Sequence, residues 1–247
     1  MAARQSYWAV TRAPRYALLF AAPLLLLYEV LAFLLSGEVI GGIRNGADYL
    51  LKAVFLLLGG KTGLAVFSAL LIGGAGFLIW RDWRRAGELR PKLFLAMLGE
   101  SVLYAMLFGG VTSRLTTALL QPLAIGQGIG QGDFSLATQI MVSLGAGLYE
   151  ELLFRVILVG ALFQLLQKRA LWPAWLAGSL ATVVGALIFS AFHYVGAYGD
   201  PWELGSFAFR AVAGVLFSGL YLTRGFGIAA WTHALYDIFL TLTLAGR

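Results

Sequence analysis

Residues 147–158 read GLYEELLFRVIL, a run that sets Glu150, Glu151 and Arg155 in a stretch otherwise apolar enough to cross a membrane. A charged group at the centre of a membrane helix costs about 2.5–3.5 kcal/mol on insertion scales. Three such groups in one span therefore belong against an interior cavity rather than lipid, and they mark function. The rest of the chain makes a membrane the right solvent to reason with. Of its 247 residues 60% are hydrophobic and 12% charged, with a mean hydropathy of +0.83, outside the range of soluble globular domains. The fold class expected is all-α, a polytopic transmembrane helical bundle.

A hydrocarbon core of roughly 30 Å needs about 20 helical residues. Apolar runs near 16–36, 62–80, 93–120, 137–166, 173–196, 205–222 and 226–244 meet that length. They predict seven spans. A shorter patch at 47–58, ADYLLKAVFLLL, reads as an interfacial or re-entrant helix, or as an eighth, tilted span. No internal repeat is visible, so 1–247 is read as a single membrane domain.

The charge balance of +6 would suggest nucleic acid in a soluble protein. Here the basic residues lie mainly in short loops, which points to lipid headgroups and topology, with no nucleic-acid partner. The basic loops RDWRRAGELRPK (81–92) and QKR (167–169), with Arg4, Arg12 and Arg15, predict a cytoplasmic N-terminus. Arg44, Lys52 and Lys61 fall on the opposite side of that assignment. The short loops suit a bacterial inner membrane. The basic-then-apolar beginning also resembles a secretory signal, but no small-x-small cleavage site follows, so it is read as a retained span. With no cysteine, the chain has no thiol nucleophile, no disulfide and no thiolate metal site.

The remaining ionisable residues within spans are His193, in FSAFHYVG, and His233 with Asp237, in WTHALYDIFL; no other histidine occurs. Residues four apart share a helix face. Glu151 therefore lies over Arg155 and can pair with it, whereas Glu150 points about 100° away and is free to meet another neighbour. His233 and Asp237 can enter one cavity, and Phe189 can pack on His193 one turn later. A free carboxylate with two imidazoles makes a general-base site, a contribution of typically 10²–10⁴ in rate. Glu29 and Glu100 receive no catalytic role, Glu29 being read as facing a vestibule. Arg114 and Arg210, near span ends, are expected to snorkel.

Together these elements resemble the CPBP family, the CAAX-prenyl endopeptidases and bacteriocin-processing proteins, intramembrane proteases related to the Ras-converting enzyme. The EExxxR motif matches Glu150-Glu151-Leu-Leu-Phe-Arg155, FxxxH matches Phe189 to His193, and HxxxN matches His233 to Asp237, with Asp in place of Asn. The resemblance covers residues 137–247 as a catalytic core; 1–136 carries no recognised motif. It implies an endopeptidase acting on a membrane-associated protein or peptide at the lipid bilayer. Glu150 and His193 would activate water, His233 and residue 237 would stabilise the oxyanion, and Glu151, Arg155 and Phe189 would support the site. An ionised Asp237 would repel an oxyanion, so it must be neutral or serve to orient His233. The metal-free reading is preferred; if zinc were used, Glu150, His193 and His233 would be its ligands.

Straight helices would leave the two imidazoles roughly 10–15 Å apart in depth. Tilting, or a re-entrant GAYGDPWELG segment (196–205), would have to close that gap. Rival readings are a proton-coupled transporter and a non-catalytic membrane scaffold. Among other intramembrane proteases, HExxH is missing, and GQGD at 130–133 precedes the Tyr236-Asp237 pair in the wrong order for a GxGD aspartyl type.

Overall fold

A computed structural model describes residues 6–36, 42–86, 88–121, 134–196 and 199–245. Asp133 and the GQGD string lie outside the described residues, as does part of the GAYGDPWELG segment. The elements among the described residues are all helical: α1 (Tyr7–Thr11), α2 (Pro14–Ser36), α3 (Gly46–Ala86), α4 (Lys92–Leu120), α5 (Leu136–Gly145), a π-helical segment (Ala146–Val159), α6 (Gly160–Lys168), α7 (Ala174–Phe192), α8 (Leu204–Arg224) and α9 (Phe226–Ala245). The expected polytopic helical bundle is the fold. The protein is an integral membrane protein.

Five of these helices are long and apolar enough to cross a membrane by length and composition: 14–35, 46–85, 92–120, 174–192 and 204–224. Two more long helical stretches, 136–168 and α9, carry Glu150, Glu151, Arg155, His233 and Asp237. Their polar residues dilute their apolarity; α9, α5 and the π segment are packed in the interior, whereas α6 has no buried residue. α9 is the hub. It packs against α2, α4, α5, the π segment and α8, and Ile228, Ala229, Ala230 and Ala234 along it are fully buried.

The helix labelled α3 is two legs. Gly59 and Gly60 leave helical geometry, Gly60 at φ 57°, a conformation only glycine adopts at no cost. Phe55 and Phe67 pack with ring centroids 5.3 Å apart, whereas twelve residues of straight helix would separate them by about 18 Å. The chain therefore folds back at the glycine pair, and a side chain at Gly63 would collide with the Phe55 carbonyl. The short first leg, which the hydropathy pattern sets apart at 47–58, packs on α2 and the π segment. This re-entrant leg delivers Asn45, Ala47, Asp48 and Lys52 to the interior.

A single residue, Gly225 at φ 81°, joins α8 to α9. That tight reversal keeps the two helices adjacent. α7 packs on both α8 and the π segment, so the elements carrying the three motifs are in mutual contact.

Candidate active site

The glutamate pair sits in the π segment, where the amide of Gly160 donates to the carbonyl of Arg155, an i→i+5 bond. Such wide turns gather at functional sites, and here the widening has a direct effect. Each residue advances by less than the 100° of an α-helix, so neighbouring side chains diverge less. Both glutamates consequently face His233, Glu151 Oε1 at 2.8 Å from Nδ1 and Glu150 Oε2 at 3.9 Å from Nε2. As the helix spacing implies, Glu150 turns away from Arg155, meeting Asn45 and the opposite nitrogen of the His233 ring.

Glu150 is not a free carboxylate. The amide Nδ2 of Asn45 donates to its Oε1 at 2.7 Å, and both residues are buried. His193, at the C-terminal cap of α7, directs Nδ1 to the Phe189 carbonyl at 2.9 Å. That leaves its other ring nitrogen for the site. His193 and His233 both interact electrostatically with Glu150. The large depth gap between the rings, inferred from straight upright helices, is not found. Both imidazoles lie against the Phe189 ring, at centroid distances of 4.9 and 6.1 Å. Phe189 therefore packs on His193 as expected, and on His233 as well.

His233 is held on every side. Phe217 stacks on it at 4.3 Å, Glu151 takes Nδ1, and Asp237 Oδ2 stands 3.5 Å from Nε2. Asp237 thus flanks the same nitrogen that faces Glu150. The pairing of Glu151 with Arg155 is looser than its spacing suggested, at 3.4 Å from Nε without a hydrogen bond among the described residues. His233 takes Glu151 Oε1, while Glu151 Oε2 and the Arg155 guanidinium nitrogens make no hydrogen bond among the described residues. The fully buried guanidinium of Arg155 lies instead over the Phe189 ring at 4.2 Å, a cation–π contact that gains strength away from water.

The π segment reaches α9 so closely because residue 147 is glycine. A Cβ there would stand 2.7 Å from Ala234 Cβ and 2.8 Å from Ala234 N. Gly145 does the same toward Tyr28 and Asn45.

Beside Asn45 lies a balanced ionic cluster. Glu29 and Asp48 accept from Arg44, at 3.1 and 3.0 Å, and from Lys52 at 3.0 and 2.8 Å. Tyr28 donates to Asp48 and Tyr149 to Glu29. Glu29 is therefore an ion-pair partner of Arg44 and Lys52, with its side chain still partly exposed. Arg44 and Lys52, which ran against the charge rule for topology, are neutralised by these acids. Arg210 also departs from the snorkelling expectation: it pairs with Asp200 and interacts electrostatically with His193 and Asp237. Away from the site, Glu100 binds Arg224 through two hydrogen bonds, at 2.5 and 2.7 Å, and accepts from Tyr7. Burial and the Glu100 carboxylate push the Tyr7 phenol up, so it remains a donor.

Glutamates, histidines and aspartate thus converge from the π segment, α7 and α9 in the order the three motifs require. A family model, Type II CAAX prenyl endopeptidase Rce1-like, matches residues 132–239. That stretch, somewhat under half of the chain, is similar to the CPBP family in the region that holds the three motifs. The match to the Rce1-like model begins before α5 and ends after Asp237, so it takes in the three motif-bearing elements and leaves out α2, α3 and the Asn45 contact. No curated protein and no solved structure matches the chain. The match likens residues 132–239 to a family of membrane peptidases.

Asn45 and Asp48 carry no motif and receive no role from the sequence, whereas Glu29, Arg44 and Lys52 stand out there only by their charge. One countable signal was present: Asn45 is the only asparagine in the chain, and it sits at the mouth of an apolar run.

Proposed function

We propose that the protein is an intramembrane endopeptidase that cuts a membrane-anchored protein or peptide near its carboxyl terminus. Glu150 with His193 polarises the attacking water. The reading is carried by one observation: Glu150 faces the ring of His233 while Glu151 fixes that ring from its other side. A carboxylate held among polar partners in a buried setting is suited to general-base work.

Glu150 Oε2 takes a proton from water, and the hydroxide attacks the scissile carbonyl. His233, anchored through Nδ1 and charged, offers Nε2–H to the developing oxyanion, a preorganised donor of the kind that carries most electrostatic catalysis. Glu150 then returns its proton to the leaving amine as the C–N bond breaks. Asp237, flanking Nε2 at 3.5 Å, orients the His233 ring. Arg155 and Phe189 hold the π segment and the two imidazoles in register.

No step is routed through a metal ion; were zinc used, Glu150, His193 and His233 would be its ligands. The substrate class follows the family description: a peptide whose cysteine, close to the C-terminus, carries a lipid. The charge pattern of the loops supports a cytoplasmic N-terminus, and the short loops support a bacterial inner membrane.

The test uses purified protein in detergent with peptides bearing a lipidated cysteine, read by mass spectrometry. The wild type should cut, and Glu150→Gln and His193→Ala should each abolish cutting while retaining the wild-type melting transition. Equal cutting by Glu150→Gln would refute the proposal. Failure of every peptide to be cut, joined to proton-coupled flux in proteoliposomes, would favour a transporter.

A further inference from the structure

Asn45 stands outside the family match, yet it makes the shortest contact to Glu150 in the site. Its Nδ2 donates to Glu150 Oε1 at 2.7 Å. Its other polar atoms are engaged in holding its own place. Oδ1 accepts from the amide of Ala47 at 2.9 Å, capping the re-entrant leg, and its backbone N–H donates to Tyr28 Oη at 3.1 Å. Tyr28 in turn donates to Asp48 at 2.8 Å, which ties Asn45 to the ionic cluster.

We propose that Asn45 is a positioning residue for Glu150, supplied by the re-entrant leg to the peptidase site; the inference rests on the reading of that site as a peptidase. A carboxylate has two oxygens and free rotation about its last bond. Pinning Oε1 with a neutral donor fixes the plane of the group and leaves Oε2 directed at His233 Nε2 and the water. A neutral amide does this without adding charge. A lysine or arginine in its place would form an ion pair with the carboxylate and oppose its taking a proton.

The delivery of this amide is built into the packing. Asn45 sits at the start of the leg, and the leg is anchored by Asp48 to Arg44 and Lys52. A Cβ on Gly145 would lie 2.7 Å from Asn45 Cβ, so a glycine on α5 makes room for the contact. Position 237, where the family pattern carries an amide, holds a carboxylate in this chain. The N-terminal elements are thereby given a task in the reaction: they complete the environment of the base that the C-terminal elements carry.

The two jobs of Asn45, capping and donation, separate by substitution. Asp and Ser cap helices about as well as Asn, but Asp cannot donate and Ser does not reach Glu150. A purely structural role predicts wild-type turnover for Asn45→Ser and Asn45→Asp. The proposal predicts that Asn45→Ser lowers kcat at least tenfold at unchanged KM and melting temperature, and that Asn45→Asp, which sets a like charge against Glu150, lowers it further.

A second readout needs no substrate. The infrared carboxylate band that Glu150→Gln removes should shift in Asn45→Ser. A shifted band with lowered kcat supports the proposal, and an unshifted band overturns it whatever the activity. Wild-type turnover in Asn45→Ser overturns it also, while leaving the peptidase reading intact. If no variant and no wild-type preparation cuts any lipidated peptide, the peptidase reading fails, and with it the proposed role of Asn45.

Discussion

Gly147→Ala is the mildest substitution that should disable the protein without touching an ionisable group. The added Cβ would lie 2.7 Å from Ala234 Cβ, 2.8 Å from Ala234 N, and closer still to the Ala230 carbonyl oxygen. Two of these neighbours are backbone and cannot swing aside. Ordinary carbon contacts begin near 3.5 Å, so α9 must retreat from the π segment by about 0.7–1 Å. The hydrogen bond between His233 Nδ1 and Glu151, now 2.8 Å, would open to about 3.5 Å, outside the useful range. Overpacking of this kind costs about 1–3 kcal/mol, a visible but survivable drop in melting temperature. A displacement of about 1 Å at a reacting centre costs on the order of a hundredfold in rate. The assay pairs a thermal melt in detergent with kcat on a lipidated-cysteine peptide. A Gly147→Ala protein that melts and cuts like the wild type would refute the claim that this glycine sets the spacing of the site.

Three further outcomes are expected. Glu151→Gln leaves the buried Arg155 guanidinium without its carboxylate, and removing one partner of a buried pair costs about 3–5 kcal/mol; a melting temperature equal to wild type would contradict the pairing. Asp237→Asn replaces a carboxylate 3.5 Å from His233 Nε2 with a neutral amide, so turnover should be kept or raised, and a loss of more than about tenfold would make Asp237 a proton carrier in its own right. Exhaustive chelation, followed by elemental analysis, should change turnover by less than about twofold, and full loss restored by added zinc would install a metal in the mechanism.

The fold was legible because its cause is compositional. Runs of apolar residues of membrane length need no long-range information, and the glycine pair at 59–60 divides a short leg from a span where hydropathy already dips. The three motif elements were legible because a buried charge in an apolar span is conspicuous. What periodicity could not supply was the local winding around Glu150. A helical wheel separates Glu150 from Glu151, and it does not show that the two reach opposite nitrogens of one imidazole, that of His233. Contacts such as Asn45 with Glu150 join residues 105 apart in sequence, and neither residue's neighbours announce the other. The ionic partners of Glu29 stayed hidden for the same reason. Arg44 and Lys52 looked like topology violations until Glu29 and Asp48 were found to neutralise them.

The central claim is that Glu150 delivers water, not itself, to the scissile carbonyl. A single turnover in heavy-oxygen water tests it most directly. The new peptide carboxylate should carry one heavy oxygen in that first turnover, Glu150 should carry none, and Glu150→Gln should form no product. An unlabelled first product with label later found in the Glu150 side chain would show a covalent acyl intermediate and contradict the account.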